Sequence, residues 1–202
     1  MDPQQCIDPS SSRPRSPLEV AEGAIRGGAC AIQLRVKSGK DRNHLKLAEE
    51  MAALCRTHEV PFIVNDRLDI ALAAGADELH LGQDDLPVAY ARRLAPHLPV
   101  GKSTHNEREL LEATREDVQR IAFGPVFPTS SKAHAEPAVG VDGLREAIEK
   151  AGRPLIAIGG INQNNAALLR GLNLEAVAVI SAVCAAPNPE DSVRQLHQLL
   201  NK

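Results

Sequence analysis

The stretch FIVNDRLDIALAAGADELHLGQDDLP, residues 62–87, contains an apolar run, a helical pattern and a second apolar run in succession. The runs Phe62–Val64 and Glu78–Leu81 are short and largely apolar, as is typical of buried strands. Between them, residues 67–75 place apolar side chains at helical spacing and end in Gly75, a residue type that commonly ends helices. This strand–helix–strand unit predicts two parallel strands joined by a crossover helix.

The same alternation continues along the chain in both directions. Further strands are predicted at Ala31–Val36, Val100–Lys102, Arg120–Phe123, Leu155–Ile158 and Ala176–Ile180. Helices are predicted over residues 17–27, 41–58, 67–75, 87–96, 105–115, 141–151, 162–171 and 188–201. The pattern predicts an α/β fold, a small (β/α)8 TIM barrel with a weak or missing first strand, since only Gln5–Ile7 could precede the first helix as a strand. A doubly wound open sheet is the alternative, although that fold usually needs fewer units.

Length and composition limit the size and the class of function. The chain has 202 residues, a net charge of -3 and 2% aromatic residues, so its core must be built from aliphatic side chains. We expect an irregular segment over 1–16 and one barrel domain over 17–202. Mild acidity and few aromatic rings disfavour nucleic acid as a partner. No apolar run is long enough to cross a membrane, and no secretory pattern is present, so we expect a cytoplasmic protein.

Cysteine spacing and oligomeric state are less informative. The four cysteines, Cys6, Cys30, Cys55 and Cys184, are widely spaced and form no CxxC pair. We therefore expect them to be reduced and to serve as small core residues. The sequence leaves the oligomeric state open.

Polar residues follow nearly every predicted strand at the point where the strand ends. In a barrel of this type the carboxyl ends of the strands form one rim, and the active site lies there. The residues in question are Gln33, Arg35, Lys37, Asn65, Asp66, Asp85, Ser103, Thr129 to Lys132, Gly159, Gly160 and Ser181. Their recurrence after seven strands predicts one functional site at this rim.

The strand Ala31–Val36 has a charged face. Gln33, Arg35 and Lys37 alternate with apolar residues, so the polar side chains should point into the barrel while the apolar ones face the helices. An inward Arg and Lys need anionic partners. A salt bridge to Asp66 or Asp85 is one possibility, and a polyanionic ligand is the favoured one.

Two carboxylates follow adjacent strands close to this charged face. Asp66 and Asp85 would lie beside Arg35 and Lys37 at the rim. Mg²⁺ binds one or two protein carboxylates and completes its shell with phosphate oxygens and water. The residues therefore predict a magnesium site next to a polyanion.

A second anion site is predicted at the last two strands. Gly159 and Gly160 allow the backbone to approach a ligand closely, and the helix expected from Asn162 would offer its N–H groups. Ser181 follows the neighbouring strand. Loops after the seventh and eighth strands of such barrels often bind a phosphate group.

Six ordered segments of the chain resemble the thiamine phosphate synthase (thiamine-phosphate pyrophosphorylase) family. They are QLRVK (33–37), VNDRLDIALAAGADELHLGQDDLP (64–87), GKSTHN (101–106), FGPVFPTSSK (123–132), AIGGIN (157–162) and AVISAV (178–183). The resemblance runs from about Pro17 to the end of the chain. It implies a transferase that condenses 4-amino-2-methyl-5-(diphosphooxymethyl)pyrimidine with a thiazole monophosphate. The products would be thiamine phosphate and pyrophosphate, formed by a Mg-assisted dissociative mechanism.

The resemblance also implies roles for individual residues. The pyrimidine diphosphate would be held by Gln33, Leu34, Arg35, Val36, Lys37, Asn65, Ser103 and Lys132. The thiazole phosphate would be held by Thr129, Ser130, Ser131, Gly160, Ile180 and Ser181. Asp66 and Asp85 would bind Mg²⁺, while Arg35, Lys37 and Lys132 would stabilise the charge on the departing pyrophosphate. This chemistry requires no general base, and the sequence shows no convincing histidine–carboxylate pair.

The segment between Gly124 and Gly140 is long for a connection in a compact domain. Few large apolar residues occur in it, so we expect little burial to hold it in the free protein. We expect a lid that orders when pyrophosphate and Mg²⁺ bind, with Lys132 reaching the anion.

Two other functions remain open at this point. A thiazole tautomerase-like isomerase would share the fold, but proteins of that kind typically carry a histidine where this chain has Pro125. A non-catalytic barrel that binds thiamine phosphate is the second alternative. Its motivation is the first strand, which is reduced to Cys6-Ile7-Asp8.

Overall fold

A computed structural model describes residues 1–9, 12–129 and 136–201 of the chain. Its strands are β1 (Ile32–Leu34), β2 (Phe62–Asn65), β3 (Glu78–Leu81), β4 (Val100–Thr104), β5 (Arg120–Phe123), β6 (Leu155–Ile158) and β7 (Leu174–Ala178). Its helices are α1 (Pro17–Arg26), α2 (Asp41–Thr57), α3 (Leu68–Ala74), α4 (Val88–Leu94), α5 (Glu107–Ala113), α6 (Gly140–Ala151), α7 (Ser181–Cys184) and α8 (Pro189–Asn201). Two short 3-10 helices cover Pro3–Gln5 and Ala166–Leu169.

The strands form one parallel sheet in chain order, from β1 to β7. For example, Ile63 of β2 aligns with Glu78 of β3, and Leu79 aligns with Val100 of β4. This order confirms the predicted barrel with its first strand missing, because within the described ranges no strand joins β7 to β1. The segment Gln5–Ile7 does not fill that place as a strand.

Alternation of side chains along the strands separates the core from the barrel interior. In β3, Leu79 and Leu81 belong to the apolar core, whereas Glu78 and His80 line a cavity inside the barrel. Glu78 is buried and forms an ion pair with Arg120 of β5. Burial raises the pKa of Glu78, against the attraction of the Arg120 guanidinium. In β1 the same alternation confirms the predicted inward position of Gln33.

The cavity has a volume of about 560 Å³ and reaches from the inner faces of the strands to two helices. Its outer wall includes Ala24 of α1 together with Leu196 and Leu200 of α8. Those helices line the cavity directly because no described strand lies between β1 and β7. The missing strand therefore leaves one side of the interior incompletely packed.

The expected helix over 162–171 is wrong. The side-chain amides of Asn162 and Asn165 both donate to the carbonyl oxygen of Gly160, at 3.1 and 2.9 Å. These side-chain bonds stabilise a loop, and only the 3-10 turn Ala166–Leu169 follows it. Elsewhere α3 and α6 end at Gly75 and Gly152, which both have left-handed backbone angles.

None of the helices that the structure describes is long and apolar enough to cross a membrane. The core is aliphatic, as the composition requires, with Phe62 and Met51 as its largest fully buried side chains.

Candidate active site

The carboxyl ends of the strands open onto the cavity, and both predicted groups of site residues line it. From the first group, Gln33, Arg35, Asn65 and Ser103 do so. From the second group, Thr129, Gly160, Ile180 and Ser181 do so. The cavity thus connects the two ends of the predicted rim.

Five other predicted residues lie apart from the cavity walls, and two of them are the carboxylates Asp66 and Asp85. Leu34 and Val36 lie with Val64 and Ile70 on the helix side of the sheet, as expected from side-chain alternation. Lys37 lies at the rim and forms an ion pair with Asp66. The predicted residues Ser130, Ser131 and Lys132 fall outside the described residues.

The predicted metal carboxylates lie together at the ends of β2 and β3. Asp66 accepts hydrogen bonds from Lys37 and from the side chain of Asn65. The carboxylate of Asp85 accepts a hydrogen bond of 2.7 Å from the backbone of Gly82. Burial raises the pKa of Asp85, and its hydrogen bond with Asp66 raises it further.

This pair of carboxyl groups is a suitable donor set for a divalent cation. Their oxygens are the hard ligands that Mg²⁺ prefers. In the described part of the chain, no three His, Cys, Asp or Glu side chains cluster as a complete metal site. Two carboxylates at Asp66 and Asp85 leave the remaining positions for water and phosphate oxygens, which fits Mg²⁺ better than a metal held only by protein.

Arg35 has a partner that the sequence did not indicate. Its guanidinium lies 2.6 Å from the carboxylate of Asp2, and the two side chains are 15% and 3% exposed. The backbone N–H of Arg35 also donates to the carbonyl of Met1 at 2.8 Å. The possibility of a salt bridge to Asp66 or Asp85 is therefore wrong for Arg35, because Asp2 takes that place.

Ser103 is held in position by the neighbouring strand. Its hydroxyl lies 2.8 Å from Nε2 of His80, and both residues are buried. The carbonyl oxygen of Ser103 accepts a 2.6 Å hydrogen bond from the side chain of Gln83. His80 aligns with Gly101 of β4, and Ser103 lies two residues further along that strand on the same face.

A histidine–carboxylate pair is present, contrary to expectation. Nδ1 of His105 lies 3.0 Å from the carboxylate of Glu109, which also accepts from the His105 backbone at 2.9 Å. Burial alone would raise the pKa of Glu109, but these bonds and one from Asn106 outweigh it and lower the pKa. The ring of His105 lines the cavity. The four-residue spacing within the predicted helix 105–115 was the signal available in the sequence, although α5 itself begins only at Glu107.

The second end of the cavity is shaped by two glycines. Gly159 and Gly160 have φ angles of +87° and +68°. A Cβ atom on Gly160 would lie 2.5 Å from the carbonyl oxygens of Phe127 and Pro128. Glycine is therefore required here by both the backbone angle and the close approach of the next loop. Ser181, the first residue of α7, lines the same end.

The described parts of the 124–140 segment are anchored to the barrel. Val126 is fully buried, and its N–H donates to the carbonyl of Ile158 at 2.9 Å. On the far side of the gap in the description, the N–H of Val139 donates to the carbonyl of Pro125 at 2.9 Å. The expectation of little burial is thus wrong for these ends, while Lys132 itself lies outside the described residues.

Comparisons with known proteins agree on one family. A family model described as thiamine monophosphate synthase matches residues 5–183. A thiamine-phosphate synthase of Chloroflexus aurantiacus is 44% identical over 194 residues, covering 96% of this chain and 90% of the relative. One from Chlorobium luteolum is 46% identical over 187 residues, covering 92% and 88%.

Solved structures extend the comparison to three dimensions. A thiamine phosphate pyrophosphorylase from Pyrococcus furiosus has a TM-score of 0.85 and 34% identity, covering 92% of this chain and 90% of that chain. A 3-hexulose-6-phosphate synthase has a TM-score of 0.66 at 16% identity, covering 99% of this chain and 95% of that chain. The second likeness concerns the fold alone.

Proposed function

The chain belongs to the thiamine monophosphate synthase family and is a transferase of thiamine biosynthesis, and we propose that its substrates are a pyrimidine diphosphate and a thiazole monophosphate. The first substrate is 4-amino-2-methyl-5-(diphosphooxymethyl)pyrimidine. Its bond between the methylene carbon and the diphosphate oxygen breaks, and the electron pair leaves with pyrophosphate. The methylene carbon then bonds to the thiazole nitrogen, which gives thiamine phosphate.

The diphosphate is assigned to the end of the cavity at β1 and β2. There Arg35 carries a positive charge at the cavity wall, and Lys37 carries another at the rim. Cations fixed beside a leaving group stabilise the negative charge that develops on it. Lys132 is assigned the same role from the sequence alone.

Asp66 and Asp85 would hold Mg²⁺ beside these cations. When bound, the ion would supply further positive charge for the leaving pyrophosphate. Lys37 already pairs with the carboxylate of Asp66, so its ammonium group would shift its contact when the diphosphate enters. Asn65 and Ser103 are assigned to the pyrimidine substrate, with His80 fixing the hydroxyl of Ser103.

The thiazole phosphate is assigned to the part of the cavity at the carboxyl ends of β6 and β7. Gly160 lets the backbone approach the phosphate, and Ile180 and Ser181 present the start of α7 to it. Thr129 lines the cavity at this end. Ser130 and Ser131 are assigned here from the sequence alone.

One observation carries the proposal. Arg35 and Asn65, which follow or end β1 and β2, line the same cavity as Gly160 and Ser181, which follow β6 and β7. A reaction that joins two phosphate-bearing substrates needs two separate anion sites that share one enclosed space. The dissociative order of bond breaking also explains why the His105–Glu109 pair need not act as a base.

The test is an incubation with both substrates and Mg²⁺, in which thiamine phosphate and pyrophosphate are quantified. Asp85→Asn should lower turnover by about a hundredfold or more, as expected on loss of a charge-stabilising group. Asp84→Asn is the matched control, because Asp84 is exposed and adjacent, and it should keep nearly full turnover. Undiminished turnover in excess EDTA would contradict the metal assignment. Binding of thiamine phosphate without any pyrophosphate release would favour the non-catalytic alternative.

A further inference from the structure

Two sulfur atoms of the first residues meet a third from the end of α7. The thioether sulfur of Met1 lies 3.4 Å from Sγ of Cys6 and 3.3 Å from Sγ of Cys184. The Sγ of Cys6 also donates to the carbonyl oxygen of Asp2 at 3.3 Å. Cys6 is fully buried and Cys184 is 2% exposed. Because Met1 and Cys184 are 183 residues apart in sequence, no local sequence motif indicates this sulfur cluster.

We propose that the sulfur cluster of Met1, Cys6 and Cys184 is a binding site for a soft monovalent metal cation, with copper(I) as the ion that fits best. Thiolate and thioether sulfurs are the ligands that soft cations select. The carboxylate pair Asp66 and Asp85 has the opposite preference, because its oxygens suit hard cations. The two sites therefore need not compete for the same ion.

The two distances from the Met1 sulfur can be compared with those of a three-coordinate site. Metal–sulfur bonds of about 2.3 Å arranged in a triangle separate the sulfurs by about 4.0 Å. The present distances of 3.3 and 3.4 Å are the contacts of sulfur atoms packed without an ion. Binding thus requires the Met1 sulfur to move about 0.6–0.7 Å further from each thiol sulfur, which its unbranched and flexible side chain can accommodate.

Binding of the cation has to displace thiol protons. The thiolate, not the thiol, is the form of cysteine that binds a metal ion. Binding one monovalent cation therefore releases the protons that the two thiols carry, so that two thiolates and one thioether hold the ion. No electron transfer is involved in this step.

The site would connect two parts of the molecule that carry assigned residues. Cys6 belongs to the segment that supplies Asp2, the partner of Arg35. Cys184 ends α7, which begins at Ser181. A bound ion should therefore fasten the first residues of the chain to α7 and raise the melting temperature.

The other cysteines provide matched controls. Cys30 is an exposed free thiol, and Cys55 is a buried free thiol in α2. If any thiol, or any buried thiol, were enough to bind copper(I), the variants of these residues would lose affinity as well. Cys55→Ala also controls for the loss of a buried sulfur from the core.

The experiment is an anaerobic titration of the reduced chain with copper(I), against a chromophoric copper(I) chelator. Intact-mass analysis first verifies that Met1 is retained. We expect one tightly bound ion per chain, together with an increase in melting temperature. Cys6→Ser and Cys184→Ser should each weaken binding by about a hundredfold or more, since even outer partners of metal sites contribute tenfold or more. Cys30→Ala and Cys55→Ala should bind as the wild type does.

Three results would overturn the proposal. The first is wild-type binding no tighter than that of Cys6→Ser, with both proteins folded by circular dichroism. The second is equal weakening in Cys55→Ala. The third is a reduced chain that binds no copper(I) while the same chain, exposed to air, loses two hydrogens to a Cys6–Cys184 disulfide. Replacement of Met1 by leucine behind a cleavable leader tests the thioether separately and should weaken binding measurably.

Discussion

Ser181 stands at the start of α7, where a small hydroxyl leaves the phosphate end of the cavity open. Ser181→Asp should weaken binding of the thiazole phosphate, because a carboxylate there would repel the phosphate. Binding of the pyrimidine diphosphate should change little, since that substrate is assigned to residues of other strands. Separate calorimetric titrations with each substrate measure both effects, with Ser181→Ala as the control for loss of the hydroxyl. Equal weakening of both substrates would show that the two ends of the cavity are not independent.

Glu109 should make the stability of the molecule depend on acid pH. Its pKa is lowered in the folded chain, so its ionised form contributes stability above the unfolded value of about 4.3. That contribution is lost as the pH falls through the folded pKa. At pH 7, Glu109→Gln should lower the free energy of unfolding by about 1 kcal/mol, and the difference from wild type should shrink toward pH 3.

Urea unfolding at a series of pH values measures this difference. The matched control is Glu112→Gln, an exposed residue of the same helix whose ion pair with Arg108 is solvated. It should change the free energy of unfolding by less than about 0.5 kcal/mol at every pH. A deficit of Glu109→Gln that is as large at pH 3 as at pH 7 would argue against the His105–Glu109 interaction as its cause.

Single residues were predictable where a local pattern fixed them. The alternation of polar and apolar residues in β1 was enough to predict that Gln33 faces the interior. The position of Asp66 after a strand was enough to predict that it lies at the rim beside Lys37. Asp2 was missed because its partner, Arg35, is distant in sequence and no periodicity connects them. Cys6 and Cys184 were expected to be unconnected core residues for the same reason.

At the scale of elements, the loop around Gly160 requires glycine for two reasons: its positive φ angle and the lack of space for a Cβ atom. Gly160→Ala should cost about 2–4 kcal/mol of unfolding free energy, because strain at positive φ adds to a clash with the carbonyls of Phe127 and Pro128. Gly171→Ala is the matched control, since Gly171 has a φ of +75° but open space around a Cβ. It should cost only about 1 kcal/mol. Thermal and urea unfolding separate the two, and equal costs would mean that the loop yields to the new methyl group.

The elements themselves were predictable to the extent that apolar periodicity determined them. β3, β5 and β6 begin and end at the predicted residues, because β5 and β6 are short and largely apolar and β3 alternates polar with apolar side chains. The helix expected over 162–171 failed because side-chain amides of Asn162 and Asn165 compete for the backbone of Gly160. β7 begins two residues earlier than the predicted strand, at Leu174, and α7 follows it closely.

At the scale of the whole molecule, the chain keeps the site of an eight-stranded barrel on a sheet of seven described strands. The assigned residues lie at the carboxyl ends of β1 to β7, so the missing strand removes packing rather than any of the assigned site residues that the structure describes. The first residues of the chain partly cover this gap, with Asp2 and Cys6 both buried. Truncating a buried side chain should therefore cost less free energy of unfolding near β1 and β7 than on the opposite side of the barrel.

This difference can be measured with two leucines on the helices that surround the sheet. Leu144 of α6 is fully buried in the apolar core, whereas Leu196 of α8 is 6% exposed and lines the cavity beside the gap. Leu144→Ala should lower the free energy of unfolding by about 4 kcal/mol, because it creates a new void in a packed region. Leu196→Ala should cost about 2 kcal/mol, since its neighbours on one side are already missing and the change only enlarges a cavity of about 560 Å³. Urea unfolding at 25 °C compares the two variants directly. Equal losses would mean that the space between β1 and β7 is filled in solution.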